Sequence, residues 1–74
     1  MNLVGVAQAY STCVELEERA QDEASALAED LSILRADLHA LLMDALRSEG
    51  IPFTDRADAA RIAFELTAVT AKSA

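Results

Sequence analysis

The sequence predicts an all-α protein, a helical hairpin that dimerises through a coiled-coil-like seam. Three observations predict it. Apolar residues recur at alternating three- and four-residue intervals from Leu3 to Ala45, a single Gly/Pro turn follows at 49–53, and a shorter apolar stripe comes after that turn. The seam reads Leu3, Val6, Tyr10, Cys13, Glu17, Ala20, Ala24, Leu27, Leu31, Leu34, Leu38, Leu41, Ala45, with Glu17 its one polar member. This is the a/d pattern of a helix that packs lengthwise on another helix.

The first helix is expected over about 3–48, capped by Asn2, and would be roughly 70 Å long at 1.5 Å per residue. Thr12-Cys13-Val14-Glu15 reads as a capping box and offers a competing start, while Gly5 weakens the long helix by about 1 kcal/mol. The seam keeps its register across Thr12, which favours one continuous helix. Gly50 suits the position just past a helix end, Pro52 blocks resumption, and Arg47 complements the dipole of the last turn. A second helix is expected over about 55–71, capped by Thr54 or Asp55, with a stripe of Ala59, Ile62, Ala63, Leu66 and Val69. The first helix carries a second stripe, Ile33, Ala36, Ala40 and Met43, widened by Leu42 and Leu46. An antiparallel second helix folding back from Leu46 to Ile33 would cover it.

The 74 residues form one domain, too small for a lone core to be more than marginal. A single cysteine excludes an internal disulfide, and no Cys/His cluster could hold a structural zinc. Oligomerisation is the staple that remains, so the seam is expected to form a homodimer. The lone Cys13 and an N-terminus without a secretion signal lead to an expected cytoplasmic location. No stretch has the apolar length of a membrane span. A net charge of −7 disfavours direct contact with nucleic acid or anionic membrane and favours a protein partner with a basic patch.

No residue set carries catalytic, cofactor or metal chemistry, so the chain is read as a non-enzyme. His39 falls at an exposed b position with no second ligand at helical spacing, and Cys13 reads as a small seam residue. The candidate dimer or partner seam is Leu3, Val6, Tyr10, Cys13, Leu27, Leu31, Leu34, Leu38 and Leu41. Flanking it, the g positions are Ala9, Leu16, Glu23, Asp30, Asp37 and Asp44, and the e positions include Arg35, so charge specifies neither a parallel nor an antiparallel dimer. Glu17 is costly in a buried seam and marks register, an opening, or a site where a partner supplies a cation. Between Glu15 and Asp30 stand seven acids against Arg19 alone. From these, Glu15, Glu17, Glu18, Asp22 and Glu23, with Phe64 of the second helix, are the partner-docking candidates.

The function expected is a small acidic interaction module that binds another protein and inhibits or escorts it, in the manner of phage- or plasmid-type anti-host regulators. The alternative is a structural coiled-coil oligomerisation or scaffolding element. A DNA-mimic inhibitor ranks below both, because the charge density is modest for that role.

Overall fold

The computed structural model describes the backbone of residues 2–73 and the side chains of residues 2–68. Among the described residues there are three helices and no strand: α1 Leu3–Asp22, α2 Leu27–Ser48 and α3 Arg56–Ser73. The long helix expected over 3–48 is therefore two helices. The break falls at 23–26 rather than at Thr12, through which α1 runs unbroken. The longest dimension of the molecule is 38 Å, about half of what a continuous helix would need.

A left-handed residue makes this break. Ala24 has φ 52, the Ser25 amide donates to the Ala20 carbonyl at 2.8 Å, and the Ala24 amide donates to Gln21 at 3.1 Å. These are the two bonds of a Schellman cap, normally built around glycine because a Cβ is strained at positive φ. Ser25 then opens α2. Its carbonyl accepts from the Ala28 amide at 3.1 Å, and its hydroxyl accepts from the Leu27 amide at 3.2 Å. Glu29 and Asp30 add negative charge at the positive end of α2.

The reversal folds the seam onto itself. α2 runs back along α1, so Tyr10 meets His39 with ring centroids 5.1 Å apart. One turn further along, the Cys13 thiol lies 3.4 Å from the Leu31 carbonyl, and Glu17 meets Arg35. Tyr10, Cys13, Glu17 and Ala20 of α1 are buried this way within one chain.

The second turn uses the same cap with the expected residue. Gly50 has φ 73, the Ile51 amide reaches the Leu46 carbonyl at 2.9 Å, and the Gly50 amide reaches Arg47 at 3.1 Å. Ile51 and Phe53 pack on the core, and the Arg47 guanidinium sits 5.2 Å above the Phe53 ring. Of the two caps considered for the last helix, Asp55 serves: its carboxylate accepts from the Asp58 amide at 2.9 Å. Asp58 in turn accepts from the Thr54 amide at 3.0 Å, one residue before the cap, so its carboxylate reaches back past the helix start much as in a capping box.

The course of α3 differs from the antiparallel return expected. Its first residue offers the Arg56 carbonyl to His39 of α2, while its middle places Phe64 beside Tyr10 and Thr67 beside Ser11 of α1. Tyr10 and His39 face each other, so both anchor points lie at one level of the hairpin and α3 crosses it from α2 towards α1. Small residues at the crossing, Ala7, Ala59 and Ala63, are fully buried together with Leu42 and Leu46. That closeness is what alanines at a crossing allow. Ile62 and Leu66 of the predicted stripe pack on this core, and the Val69 side chain lies outside the described residues. Because α3 crosses rather than follows α2, the second stripe is covered only at its C-terminal end: Leu42 and Leu46 are buried and Met43 packs on the core, whereas Ala36 and Ala40 are exposed and Ile33 is 60% exposed.

His39 is corrected in the same way. It is 5% exposed rather than on the surface, because its b position turns towards the start of α3. A carbonyl only accepts, so the 2.8 Å contact makes Nε2 the protonated nitrogen. Its Nδ1 is buried without a hydrogen-bond partner.

Two outcomes follow for the caps. Ala24→Gly should stabilise the fold by about 0.5–1 kcal/mol, since relief of left-handed strain outweighs the added entropy of the unfolded chain. Gly50→Ala should destabilise by about 1 kcal/mol through backbone strain alone, since a Cβ there meets nothing within 4 Å. Urea denaturation of both variants checks the pair. For Asp58, hydrogen bonds from Arg61 first and the Thr54 amide second hold the carboxyl below its ordinary value. Its contribution is thus present above the usual carboxylate range and lost as pH falls through the depressed value. Helicity followed by circular dichroism during acid titration should fall less for Asp58→Asn than for wild type, the variant having already lost that contribution at neutral pH.

Candidate functional site

Three surface features collect the chemistry of this chain. The first is polar and lies where α1, α2 and α3 meet. Glu17 Oε2 accepts from Arg35 Nε at 2.6 Å, and Glu17 Oε1 accepts from Gln21 at 3.3 Å. The Glu17 side chain is 10% exposed and that of Arg35 33% exposed. The hydrogen bond to Glu17 keeps the Arg35 guanidinium more firmly protonated than usual, against the opposing effect of burial. Tyr10, Val14, Glu18 and Phe64 complete the walls of a cleft of about 380 Å³. The cation anticipated from a partner at Glu17 is supplied by the chain itself, once the hairpin brings position 35 opposite position 17.

The second feature is an apolar groove on the face of the hairpin away from α3. Gly5, Gln8, Ala9, Thr12, Cys13 and Leu16 form one wall, and Leu31, Leu34 and Leu38 form the other, around about 610 Å³. The Cys13 thiol lies in the floor. Burial first, and the Glu17 carboxylate second, push its pKa up, with Arg35 opposing. A thiol held protonated in this way is a poor nucleophile. The third feature is a shallow patch of α3 around Phe64, lined by Ala57, Ala60, Arg61, Glu65 and Ala68.

The predicted seam is divided between interior and surface. Leu3, Val6 and Leu38 are half-buried against the core, Leu31 is half-buried, and Tyr10 and Cys13 are buried. Leu27, Leu34 and Leu41 remain 62%, 48% and 43% exposed, one row along α2 at seven-residue spacing. The docking candidates do not form one patch. Glu15, Glu18 and Asp22 share an exposed face of α1 at i, i+3 and i+7, whereas Glu23 lies at the turn and Glu17 is consumed by Arg35. Phe64 is partly exposed, with its ring 5.9 Å from Tyr10. Sequence reasoning missed Leu16 as a surface residue of the groove, although an apolar side chain at a g position among acids was its signal.

Among the described residues, no group of three or more His, Cys, Asp or Glu is placed to hold a metal ion, and no helix is long and apolar enough to cross a membrane. Comparison with known families, characterised proteins and solved structures finds no match for this chain.

The ion pair yields a cycle of variants. Arg35→Leu should cost about 1–2 kcal/mol by leaving Glu17 with Gln21 alone, a value reduced by the partial exposure of the pair. The double change Glu17→Leu with Arg35→Leu should recover most of that loss, because apolar replacement of a whole buried pair is often neutral. Urea denaturation of the four species measures the coupling.

Proposed function

We propose that this chain is a small, acidic, non-catalytic interaction module that binds another protein through the α1–α2 groove, and so inhibits or escorts it. One observation carries the reading. Leu16 of α1 and Leu34 of α2 line the groove while 42% and 48% exposed, and Leu27 and Leu41 extend the exposed row of α2 one heptad to either side of Leu34. A contiguous exposed apolar surface on a small soluble chain is characteristic of a recognition site. The acidic balance of −7 supports solubility of the free protein and selection of a basic partner surface. A single buried, free thiol fits a cytoplasmic location.

The structural reading, a self-assembling scaffold element, is favoured by the heptad spacing of Leu27, Leu34 and Leu41, which could form the d row of a helix pair between two copies.

Leu34 and Leu38 separate surface from core. Leu34→Asp should leave stability within about 0.5 kcal/mol while removing association, because the new charge stays in water. Leu38→Asp should destabilise by several kcal/mol, because its half-buried side chain packs on the core. Thermal melts test the folding. Affinity capture with the wild-type protein and with Leu34→Asp, sized by light scattering, tests the binding. A stoichiometric partner retained by wild type and lost with Leu34→Asp supports the interaction module. A homo-oligomer that the same change dissolves supports the scaffold, and association unchanged by it removes the groove from either role.

A further inference from the structure

The occupant of the groove has a definable chemistry, on the reading that the groove is the interaction site. α3 covers one face of the hairpin, and the opposite face holds the groove between α1 and α2 with no helix over it among the described residues. The free row Leu27, Leu34, Leu41 spans roughly 21 Å, about four turns of a helix laid alongside it. Its outer border is charged in one sense. Asp30, Asp37 and Asp44 stand at i+3 from these leucines and are all exposed. Among the described residues only Asp44 of the three has an ion-pair partner, the exposed Arg47 at 3.2 Å. The facing wall of α1, from Gly5 to Leu16, contributes no cation to the groove. Over residues 3–48, nine acids and three bases leave −6 of the total −7 on the hairpin.

We propose that the groove binds an amphipathic helix of a partner protein whose leucine-like apolar stripe is flanked by Lys or Arg at seven-residue spacing. Such a helix lies in the groove along α2 and sets its cations against Asp30, Asp37 and Asp44. A second copy fits less well: antiparallel pairing of α2 with α2 brings two aspartate rows together, which is repulsive, and in a parallel pairing the one cation that could face them, Arg35, is already held by Glu17. Charge complementarity and the length of the leucine row therefore select a basic helix over self-association.

The test uses two labelled synthetic helices of about 15 residues with identical Leu stripes, one flanked by Lys and one by Glu. Fluorescence anisotropy measures affinity for the full chain, and amide NMR shifts locate the contact. The Lys helix should bind, shift Leu16 and Leu34, and weaken as salt is raised. Its affinity should fall about tenfold with Asp30→Asn, Asp37→Asn and Asp44→Asn combined, as three partly screened rim pairs imply. It should be lost with Leu34→Asp, both variants keeping wild-type circular dichroism. Equal binding of the Lys and Glu helices, or indifference to the three asparagines, overturns the basic-helix proposal while leaving the groove as a site if Leu34→Asp still abolishes binding. Self-association that Leu34→Asp dissolves, and that excludes the Lys helix, overturns it in favour of a second copy. If neither helix shifts the groove resonances, the proposal and the groove reading fall together.

Discussion

The reversal of the chain at residues 23–26 governs the rest of this molecule. It is enforced by two backbone hydrogen bonds around a left-handed alanine, and it converts an apolar stripe with the look of an intermolecular seam into the interior of a hairpin. Once α2 is antiparallel to α1, position 17 faces position 35 and position 10 faces position 39. The acid in the seam then has its base, and the histidine is carried inside to meet the first residue of α3. The crossing of α3 depends on this too, since its two anchors, His39 and Tyr10, become neighbours only through the reversal. A strained residue persists where the surroundings over-determine it. Here Tyr10, Cys13 and Glu17 on one side and Leu31, Arg35 and His39 on the other hold the turn closed.

Much of the local structure was legible in the sequence. Asn2, Gly50 and Asp55 occupy the capping positions their chemistry indicates, because caps are decided by one or two side chains and the nearest amides. The helical period, the all-α class and the apolar positions of α1 were equally readable. The break at Ala24 was not, because its cap lacks glycine and its heptad register continues undisturbed across the turn. A faint signal existed in Ser25 followed by Glu29 and Asp30, an N-cap residue ahead of an acidic first turn, yet the neighbouring acids of α1 masked it. The burial of His39 and the exposure of Ala36 were beyond local reasoning, since both depend on the direction in which α3 crosses. Of the candidate site, periodicity placed the leucines on one face of the helix. Only the three-dimensional arrangement divides that face into the part spent on the hairpin and the part left in solvent.

That division describes the energetic position of a very small domain. The core at the crossing is built largely from alanines, which permit close helix contact but bury little area each. Several of the largest apolar side chains, among them Leu27, Leu34, Leu41 and Phe64, lie partly in water instead. Their burial remains a reserve that association can draw on. The exposed aspartates Asp30, Asp37 and Asp44 set negative charge beside that surface, which favours its hydration.

The hairpin also sets the order in which the chain can organise itself. The contacts that close it, Cys13 with Leu31 and Glu17 with Arg35, join residues 18 apart, whereas the Ser11–Thr67 contact that seats α3 spans 56. Loop-closure entropy favours the short reversal, so α1 and α2 can form a nucleus on which α3 condenses. Ile62 and Leu66 of α3 pack on the same core as Tyr10, Leu42 and Leu46, so the largest buried side chains of the hairpin reach their final surroundings only when this last helix arrives.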